Sequence, residues 1–174
     1  VVIGDESMPS VAANFESSQS ADELPINQWR ISIGDLTFDS GASFDLSTHQ
    51  DDRVRYFSGT YTAQARIELS AAQAAIAAIS LPGLIDIAEV LINGESIGVI
   101  WSKGQSIDIA SAAREGENLI ELRIANGWRN RLIGDQNSKA SFEGQSKTYL
   151  SYPIFEAHAE PASTGLFAQA TIRA

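Results

Sequence analysis

Apolar and polar residues alternate with a period of two along much of this chain, and this alternation limits its fold more than any other feature. It is clearest at residues 60–69, whose apolar members are Tyr61, Ala63, Ala65, Ile67 and Leu69. Residues 29–33, 120–124 and 166–172 repeat the pattern. A period of two predicts β-strands with one face buried and the other in water. We therefore expect several half-buried strands, with Ile67, Leu122 and Ile124 in the core.

A hairpin is predicted in the middle of the chain. Residues 87–92 are apolar on both faces, which is typical of a central strand that is covered on both sides. Asn93-Gly94 follows at once, and residues 97–100 resume the apolar pattern. Because both turn residues tolerate positive φ, the pair predicts a two-residue type I′ turn.

Helical signals are sparse. Residues 71–78 (AAQAAIAA) have high helix propensity, but the SLPGL segment at 80–84 favours a strand at 76–81, with 71–75 as its connection. Residues 108–114 predict a single turn that Asp108 caps and that ends before Gly116. Many short strands without a βαβ rhythm predict an all-β fold, namely an antiparallel β-sandwich of jelly-roll type.

The length of 174 residues fits one domain with a core of its own. Residues 4–23 are acidic, Ser-rich and aperiodic, so we expect residues 1–27 to be a linker or surface arm and residues 28–174 to be the β-sandwich domain. Residues 134–151 form a second irregular stretch, of a length typical of functional or internally tethered loops. Val1 is not a natural initiator, which leads us to expect a fragment of a longer protein.

The charge balance excludes several classes of partner. Lys and Arg number 12 against 22 Asp and Glu, a formal net charge of −10. This sign does not attract phosphate backbones or anionic lipid, so neither nucleic acid nor a membrane is expected as a partner. No apolar run approaches the roughly 20 residues of a membrane span. The absence of cysteine excludes a disulfide scaffold, a thiolate zinc site and a cysteine nucleophile.

Few residues form a recognisable catalytic or metal-binding pattern. The two histidines, His49 and His158, lack the spacing of paired metal ligands, and no phosphate-binding glycine loop or GxSxG motif is present. Asp51-Asp52, Asp86 and Glu89 are interpreted first as solvated carboxylates, with a structural calcium as the main alternative. A retaining glycosidase needs two carboxylates about 5 Å apart in a rigid cleft, which sequence proximity does not establish. We assign no catalytic residue and leave metal ligands open.

The segment at 128–135 (WRNRLIGD) concentrates an indole, two guanidiniums, an amide and a carboxylate just after a strand. One interpretation is structural: Arg131 and Asp135 form a bidentate pair that braces a long loop, and Trp128 covers the core edge. The other is sugar recognition, in which aromatic rings stack on a pyranose and polar groups bind its hydroxyls. The carbohydrate-binding candidates are Tyr56, Trp101, Trp128, Arg129, Asn130, Arg131 and Asp135.

Several segments together point to a family. They are 55–60 (RYFSGT), 86–98 (DIAEVLINGESIG), Trp101, 107–109 (IDI), 116–118 (GEN), 126–135 (NGWRNRLIGD) and 163–167 (STGLF). In this order, over roughly residues 29–172, they resemble the sugar-binding-like, or galactose-binding-like, β-sandwich of family 2 glycoside hydrolases. The likeness is closest to its version at the C-terminus of family 106 α-L-rhamnosidases. Residues 126–135 are the most specific piece.

The resemblance implies a non-catalytic accessory domain of a bacterial glycoside hydrolase that resembles the α-L-rhamnosidases. The partner would be the catalytic domain of the same or a parent enzyme, with glycan as a second ligand, and the location would be secreted or periplasmic. An independent carbohydrate-binding module is the alternative, and a self-sufficient glycosidase is a third. The resemblance implies no cofactor beyond the structural calcium considered above.

Overall fold

The computed structural model describes residues 23–137, 154–156 and 158–174. Its strands are β1 (Glu23–Pro25), β2 (Trp29–Ile33), β3 (Leu36–Ser40), β4 (Phe44–Asp45), β5 (Thr60–Leu69), β6 (Ala78–Ser80), β7 (Ile87–Ile92), β8 (Glu95–Ile100), β9 (Ser106–Asp108), β10 (Gly116–Ala125), β11 (Gly165–Leu166) and β12 (Thr171–Arg173). Its α-helices are α1 (Asp52–Arg55), α2 (Ala71–Ala74) and α3 (Arg129–Gln136), and a 3-10 turn spans Leu46–Thr48. None of these helices has the length and apolar character needed to cross a membrane.

Two antiparallel sheets face each other across the core. The larger has the strand order β3-β2-β5-β10-β7-β8, and the smaller has the order β1-β12-β6-β9. Strands β4 and β11 form a separate two-stranded antiparallel pair. The two longest strands, β5 and β10, pair along their whole length at the middle of the larger sheet. The predicted antiparallel β-sandwich is confirmed, while its jelly-roll subtype stays a prediction.

The core lies between the sheets and follows the period of two. The inward residues of the larger sheet include Trp29 and Ile31 of β2, Tyr61 and Ala63 of β5, and Ile120, Leu122 and Ile124 of β10; the smaller sheet contributes Ile79 and Ile172. Burial of these side chains supplies the main driving force for the sandwich. The prediction is confirmed for Leu122 and Ile124, but Ile67 is only partly buried, although it packs against the core.

The predicted type I′ hairpin is confirmed. Asn93 and Gly94 connect β7 to β8 with φ values of +53° and +87°. The neighbouring strand β7 lies second from the sheet edge, between β10 and β8, and not at its centre. Ile87, its first residue, is 52% exposed. The prediction of a strand covered on both sides is therefore wrong at its beginning, because apolar composition alone does not report how far the covering layer extends.

Two other predicted segments differ from the observed elements in detail. Residues 71–81 divide into the short helix α2 and strand β6, with a capping box between Ser70 and Gln73 at the start of the helix. The single strand expected at 166–172 is two strands, β11 and β12, which belong to different sheets. Residues 167–169 between them are exposed. The sequence alternates without interruption across the break because β11 and β12 both bury even-numbered residues.

The expected arm at 1–27 is described only from residue 23 onward. Glu23–Pro25 form β1, which pairs with β12, and Ile26 is buried. The N–H of Ile26 also donates to the carbonyl of Ala170 at 2.9 Å. Residues 23–26 thus contact the sandwich, and the domain boundary itself stays a prediction. Of the irregular stretch expected at 134–151, residues 134–136 are helical in α3, and residues 138–151 lie outside the described residues.

Candidate functional site

The segment between β10 and α3 is fixed to a distant part of the chain by one amide side chain. Asn126 donates from Nδ2 to the carbonyl of Phe57 at 3.0 Å, and its Oδ1 accepts from the N–H of Gly59 at 2.9 Å. Gly59 has a φ of +144°, and a Cβ there would lie 3.1 Å from the Phe57 ring. The RYFSGT and NGWRNRLIGD segments therefore form one structural unit.

Helix α3 places two charged residues of the second segment one turn apart and out of water. Arg131 donates from Nε to Oδ2 of Asp135 at 2.9 Å, and the residues are 8% and 4% exposed. This contact agrees with the bracing interpretation. A buried charge needs partners because desolvation is costly. These two side chains stabilise the helix and its surroundings from within.

Two amide side chains of α3 hold the C-terminal part of the chain. Asn130 forms a pair of 2.7 Å hydrogen bonds with the backbone of Ala162, one through each side-chain atom. Gln136 donates to the carbonyl of Phe155 at 2.9 Å and accepts from the N–H groups of Ile154 and Phe155. The guanidinium of Arg129 lies 4.9 Å from the centre of the Phe155 ring, within cation–π range. Helix α3 thus holds Ile154, Phe155 and Ala162 in place.

The helix packs on the sandwich through a glycine. A Cβ at Gly134 would lie 2.7 Å from the Cβ of Tyr56, closer than two such atoms approach. Tyr56 is itself buried. Its ring therefore supports the close packing of α3, and is not presented at the surface of the described chain.

The two candidate tryptophans are exposed. Trp101 is 71% and Trp128 is 67% exposed, so Trp128 does not cover the core edge as expected. Trp101 follows the end of β8, and Trp128 follows the end of β10; these two strands flank β7. The two strand ends are close in the sheet, since Ile100 of β8 pairs with Ala88 and Ala125 of β10 pairs with Ile87. The rings lie at the same end of the larger sheet, but no ring contact joins them within the described residues.

The seven candidates therefore divide into two groups. Trp101, Trp128 and Arg129 are at the surface, while Tyr56, Asn130, Arg131 and Asp135 are buried. Sugar binding by either group stays a prediction.

Sequence reasoning missed a polar cluster around Thr164. Asp86 accepts hydrogen bonds from the Thr164 hydroxyl and from the N–H of Gly165, and Asp45 accepts from the N–H of Thr164 at 3.2 Å. Burial raises the pKa of Asp86 above its ordinary value. Burial also raises the pKa of Tyr61, and the nearby Asp86 charge adds to this effect. The partners are 78 to 119 residues apart, so no local pattern could have identified them.

Asp51, Asp52 and Asp86, for which the sequence left a calcium alternative, each contact another residue of the chain. Asp51 caps α1 and binds Arg53 at 2.8 Å, and Asp52 lies 3.7 Å from Arg55. The Asp86 carboxylate binds Thr164 and Gly165. Within the described ranges, no group of three or more His, Cys, Asp or Glu side chains could hold a metal ion.

The two histidines lie in different surroundings. Nδ1 of His49 accepts from the N–H of Asp51 at 3.0 Å, and its ring lies 4.7 Å from that of Phe38. His158 is exposed. His49 therefore stabilises the turn before α1.

Comparison with known proteins gives two kinds of match, although no family model matches this chain. A protein of Formosa agariphila that is assigned as a β-glucuronidase is 29% identical over 126 residues, which are 71% of this chain and 11% of that protein. The solved rhamnosidase from Novosphingobium sp. PP1Y has a TM-score of 0.71 and 28% identity over 88% of this chain and 15% of its own.

The β-glucuronidase from Ruminococcus gnavus, solved in complex with D-glucuronic acid, has a TM-score of 0.62 over 90% of this chain and 30% of its own. Its identity of 12% shows a likeness of fold alone. All three proteins are glycoside hydrolases by name, and this chain spans only a small part of each. The β-sandwich described above is thus similar to a domain found in larger glycosidases.

Proposed function

We propose that this chain is a non-catalytic accessory domain of a larger bacterial glycoside hydrolase, related to the C-terminal domain of family 106 α-L-rhamnosidases. The observation that carries the proposal is the match to a rhamnosidase, in which 88% of this chain corresponds to 15% of that enzyme at 28% identity. Its partner is the catalytic domain of the same or a parent enzyme. The enzyme acts outside the cytoplasm, secreted or in the periplasm.

The geometry of the described residues supports an accessory role over a self-sufficient glycosidase. Asn130 binds the backbone of Ala162, and Arg131 and Asp135 bind each other inside the protein. A glycosidase needs a carboxylate pair that is open to a sugar. Asp45 and Asp86 both bind Thr164, so their oxygens hold this chain's own backbone and hydroxyl.

The open reading frame that encodes this chain provides the test. We expect it to encode a separate catalytic domain, and we expect the isolated chain to leave aryl α-L-rhamnosides and aryl β-D-glucuronides unhydrolysed. Deletion of residues 23–174 from the complete enzyme should lower its thermal stability or soluble yield. Hydrolysis by the isolated chain that is lost in Asp45→Asn or Asp86→Asn would support the glycosidase instead.

An independent carbohydrate-binding module is the second candidate, and the exposure of Trp101 and Trp128 favours it. Exposed indoles stack on the apolar face of a pyranose. Glycan arrays followed by calorimetry on Trp101→Ala and Trp128→Ala distinguish the two functions. A module that binds through these rings loses affinity in both variants. The matched control is Phe167→Ala, because Phe167 is another exposed aromatic residue and lies outside residues 126–135.

A further inference from the structure

A groove of about 510 Å³ crosses the outer face of the larger sheet, away from both tryptophans. Its floor is formed by β5 and by Leu119 of β10, and one wall is the connection between β1 and β2. Arg30 of β2 and its partner Asp39 of β3 line the other side. This volume lies in the range of small-molecule binding sites. None of the seven carbohydrate-binding candidates lines the groove.

The connection that forms the first wall is held in place by distant residues. Ile26 is buried, and its N–H donates to the carbonyl of Ala170 at 2.9 Å. The next residue, Asn27, accepts from Nε2 of Gln169 at 2.7 Å. The wall is therefore attached to the smaller sheet, while the floor belongs to the larger one. The groove is built where the two sheets meet and does not depend on a free loop.

Two guanidiniums line the groove, each paired with one carboxylate. Arg30 binds Asp39, which also lines the groove, and Arg66 binds Glu117 beside it. Arg66 uses one Nη for its ion pair with Glu117. Its Nε and other Nη form no hydrogen bond with any residue that the structure describes. Exposed ion pairs of this kind contribute little to stability, so these guanidiniums can turn to a ligand.

The remaining lining residues complement the charge. Gln64 lies beside Arg66 and donates from Nε2 to Glu121 at 2.8 Å, and Asn27 and Gln28 add two more amides on the wall. Leu119 is a partly exposed apolar residue on the floor, among polar neighbours on the same face. Guanidiniums bind carboxylates through paired N–H groups, amides bind hydroxyls, and an aliphatic surface accepts the apolar face of a sugar ring.

We propose that this groove is a binding site for a carboxylate-bearing oligosaccharide, with Arg30 and Arg66 on the uronate group and Leu119 beneath a ring. The choice of a saccharide over other carboxylates rests on the function proposed above, whereas the choice of a carboxylate rests on the two guanidiniums of the groove. The site is separate from the exposed tryptophans, and glycan binding here needs neither of them.

Calorimetry with a hexuronate tetrasaccharide, and with its carboxyl-reduced neutral counterpart, tests the site. We expect the charged sugar to bind about tenfold or more tightly than the neutral one, and its affinity to fall as salt rises from about 0.01 M to about 0.15 M. Arg30→Ala and Arg66→Ala should each weaken binding about tenfold. Leu119→Ala should weaken it as well. Arg66→Lys keeps the charge but lacks the paired N–H groups, so it should weaken binding without loss of fold.

The matched control is Arg123→Ala. Arg123 lies on the same face of β10, is similarly exposed and also binds a carboxylate, Glu121, but it does not line the groove. It should bind the sugar like the wild type. The proposal is overturned if the wild-type chain binds no hexuronate at millimolar concentration, if the neutral sugar binds equally well, or if Arg123→Ala weakens binding as much as Arg66→Ala. Such results leave the accessory function to be decided by the reading-frame and hydrolysis tests.

Discussion

The side chains of Asn93 and Asn118 are hydrogen-bonded to each other, with Nδ2 of Asn93 donating to Oδ1 of Asn118 at 2.9 Å. Asn93 also accepts from the N–H of Leu119 at 3.0 Å. Asn118 donates from its own Nδ2 to the carbonyls of Arg114 and Gly116. The pair thereby connects the β7–β8 turn, the turn before β10 and β10 itself. Asn118 is 1% exposed, so these bonds have no water to replace them.

Asn118→Ala should lower the free energy of unfolding by about 2–3 kcal/mol, because it removes from a buried position the hydrogen bonds to the carbonyls of Arg114 and Gly116 and to the Asn93 amide. Urea denaturation at constant m-value measures the loss. Asn27→Ala is the control: Asn27 is exposed, and its substitution should change stability by less than about 0.5 kcal/mol. Equal losses in the two variants would contradict the role given to the asparagine pair.

Gly94→Val should lower the free energy of unfolding by about 1–3 kcal/mol, because Gly94 has a φ of +87° and a β-branched residue is strained there. No heavy atom lies within 4 Å of the position of its Cβ, so the cost comes from the backbone and not from a clash. Gly41→Val is a matched control, since the space around Gly41 is equally open and its φ is outside the strained range. An unchanged urea midpoint for Gly94→Val, beside an unchanged control, would show that the turn tolerates a side chain.

Local patterns predicted most of the sandwich because its strands are half-buried and its key turn is formed by adjacent residues. Asn93-Gly94 requires only two neighbouring φ values, and the alternation of β5 and β10 reports which face is in water. Helix α3 was not predicted. Its N-cap residue is Trp128, whose side chain makes no capping hydrogen bond, and Gly134 lies inside it. The sequence around it therefore lacks the usual signals of a helix start.

The candidate site could be predicted only in part, because composition does not tell where a side chain points. Arg131 and Asp135 of the bracing pair are four positions apart, a spacing that a helix brings together. Asn126 binds Gly59 and Phe57, which lie 67 and 69 positions away along the chain, and Asn130 binds Ala162, which lies 32 positions away. Those contacts depend on the completed tertiary structure. The groove also depends on the completed tertiary structure, since its wall and floor come from separate sheets.

The contributions of Asp86 and Asp39 to the pH dependence of stability should have opposite signs. Burial raises the pKa of Asp86 above its ordinary 3.8, although hydrogen bonds from Thr164 and Gly165 oppose the shift. A carboxyl with a raised pKa holds its proton more tightly in the folded chain. Its stabilising contribution is present below the unfolded pKa and is lost as pH rises through the folded pKa. Asp86→Asn does not titrate and keeps an acceptor oxygen, so its stability relative to wild type should rise from about pH 3 to about pH 7.

The control for this prediction is Asp39→Asn. A hydrogen bond from Arg30 lowers the pKa of Asp39, so the contribution of this carboxylate is present above the unfolded pKa and is lost as pH falls. The variant should therefore lose stability relative to wild type as pH rises, by a small amount since the pair is exposed to solvent. Thermal unfolding across the pH series measures both differences. Parallel curves for wild type and Asp86→Asn would contradict the shift at Asp86.

A double-mutant cycle on Arg131 and Asp135 separates bracing from recognition. If the pair braces α3, Arg131→Ala and Asp135→Ala should each lower the free energy of unfolding by about 3–5 kcal/mol, because each leaves the other charge buried with a lost partner. The double variant should then lose less than the sum of the single losses. As a control, Arg173→Ala, which removes an exposed partner of Glu23, should cost no more than about 1 kcal/mol.

If the pair of Arg131 and Asp135 instead recognises a sugar, both single variants should keep the wild-type melting temperature and lose glycan affinity. We expect bracing, because Arg131 and Asp135 lie beneath the surface together with Ile133, where a sugar ring cannot reach both groups without displacing the helix.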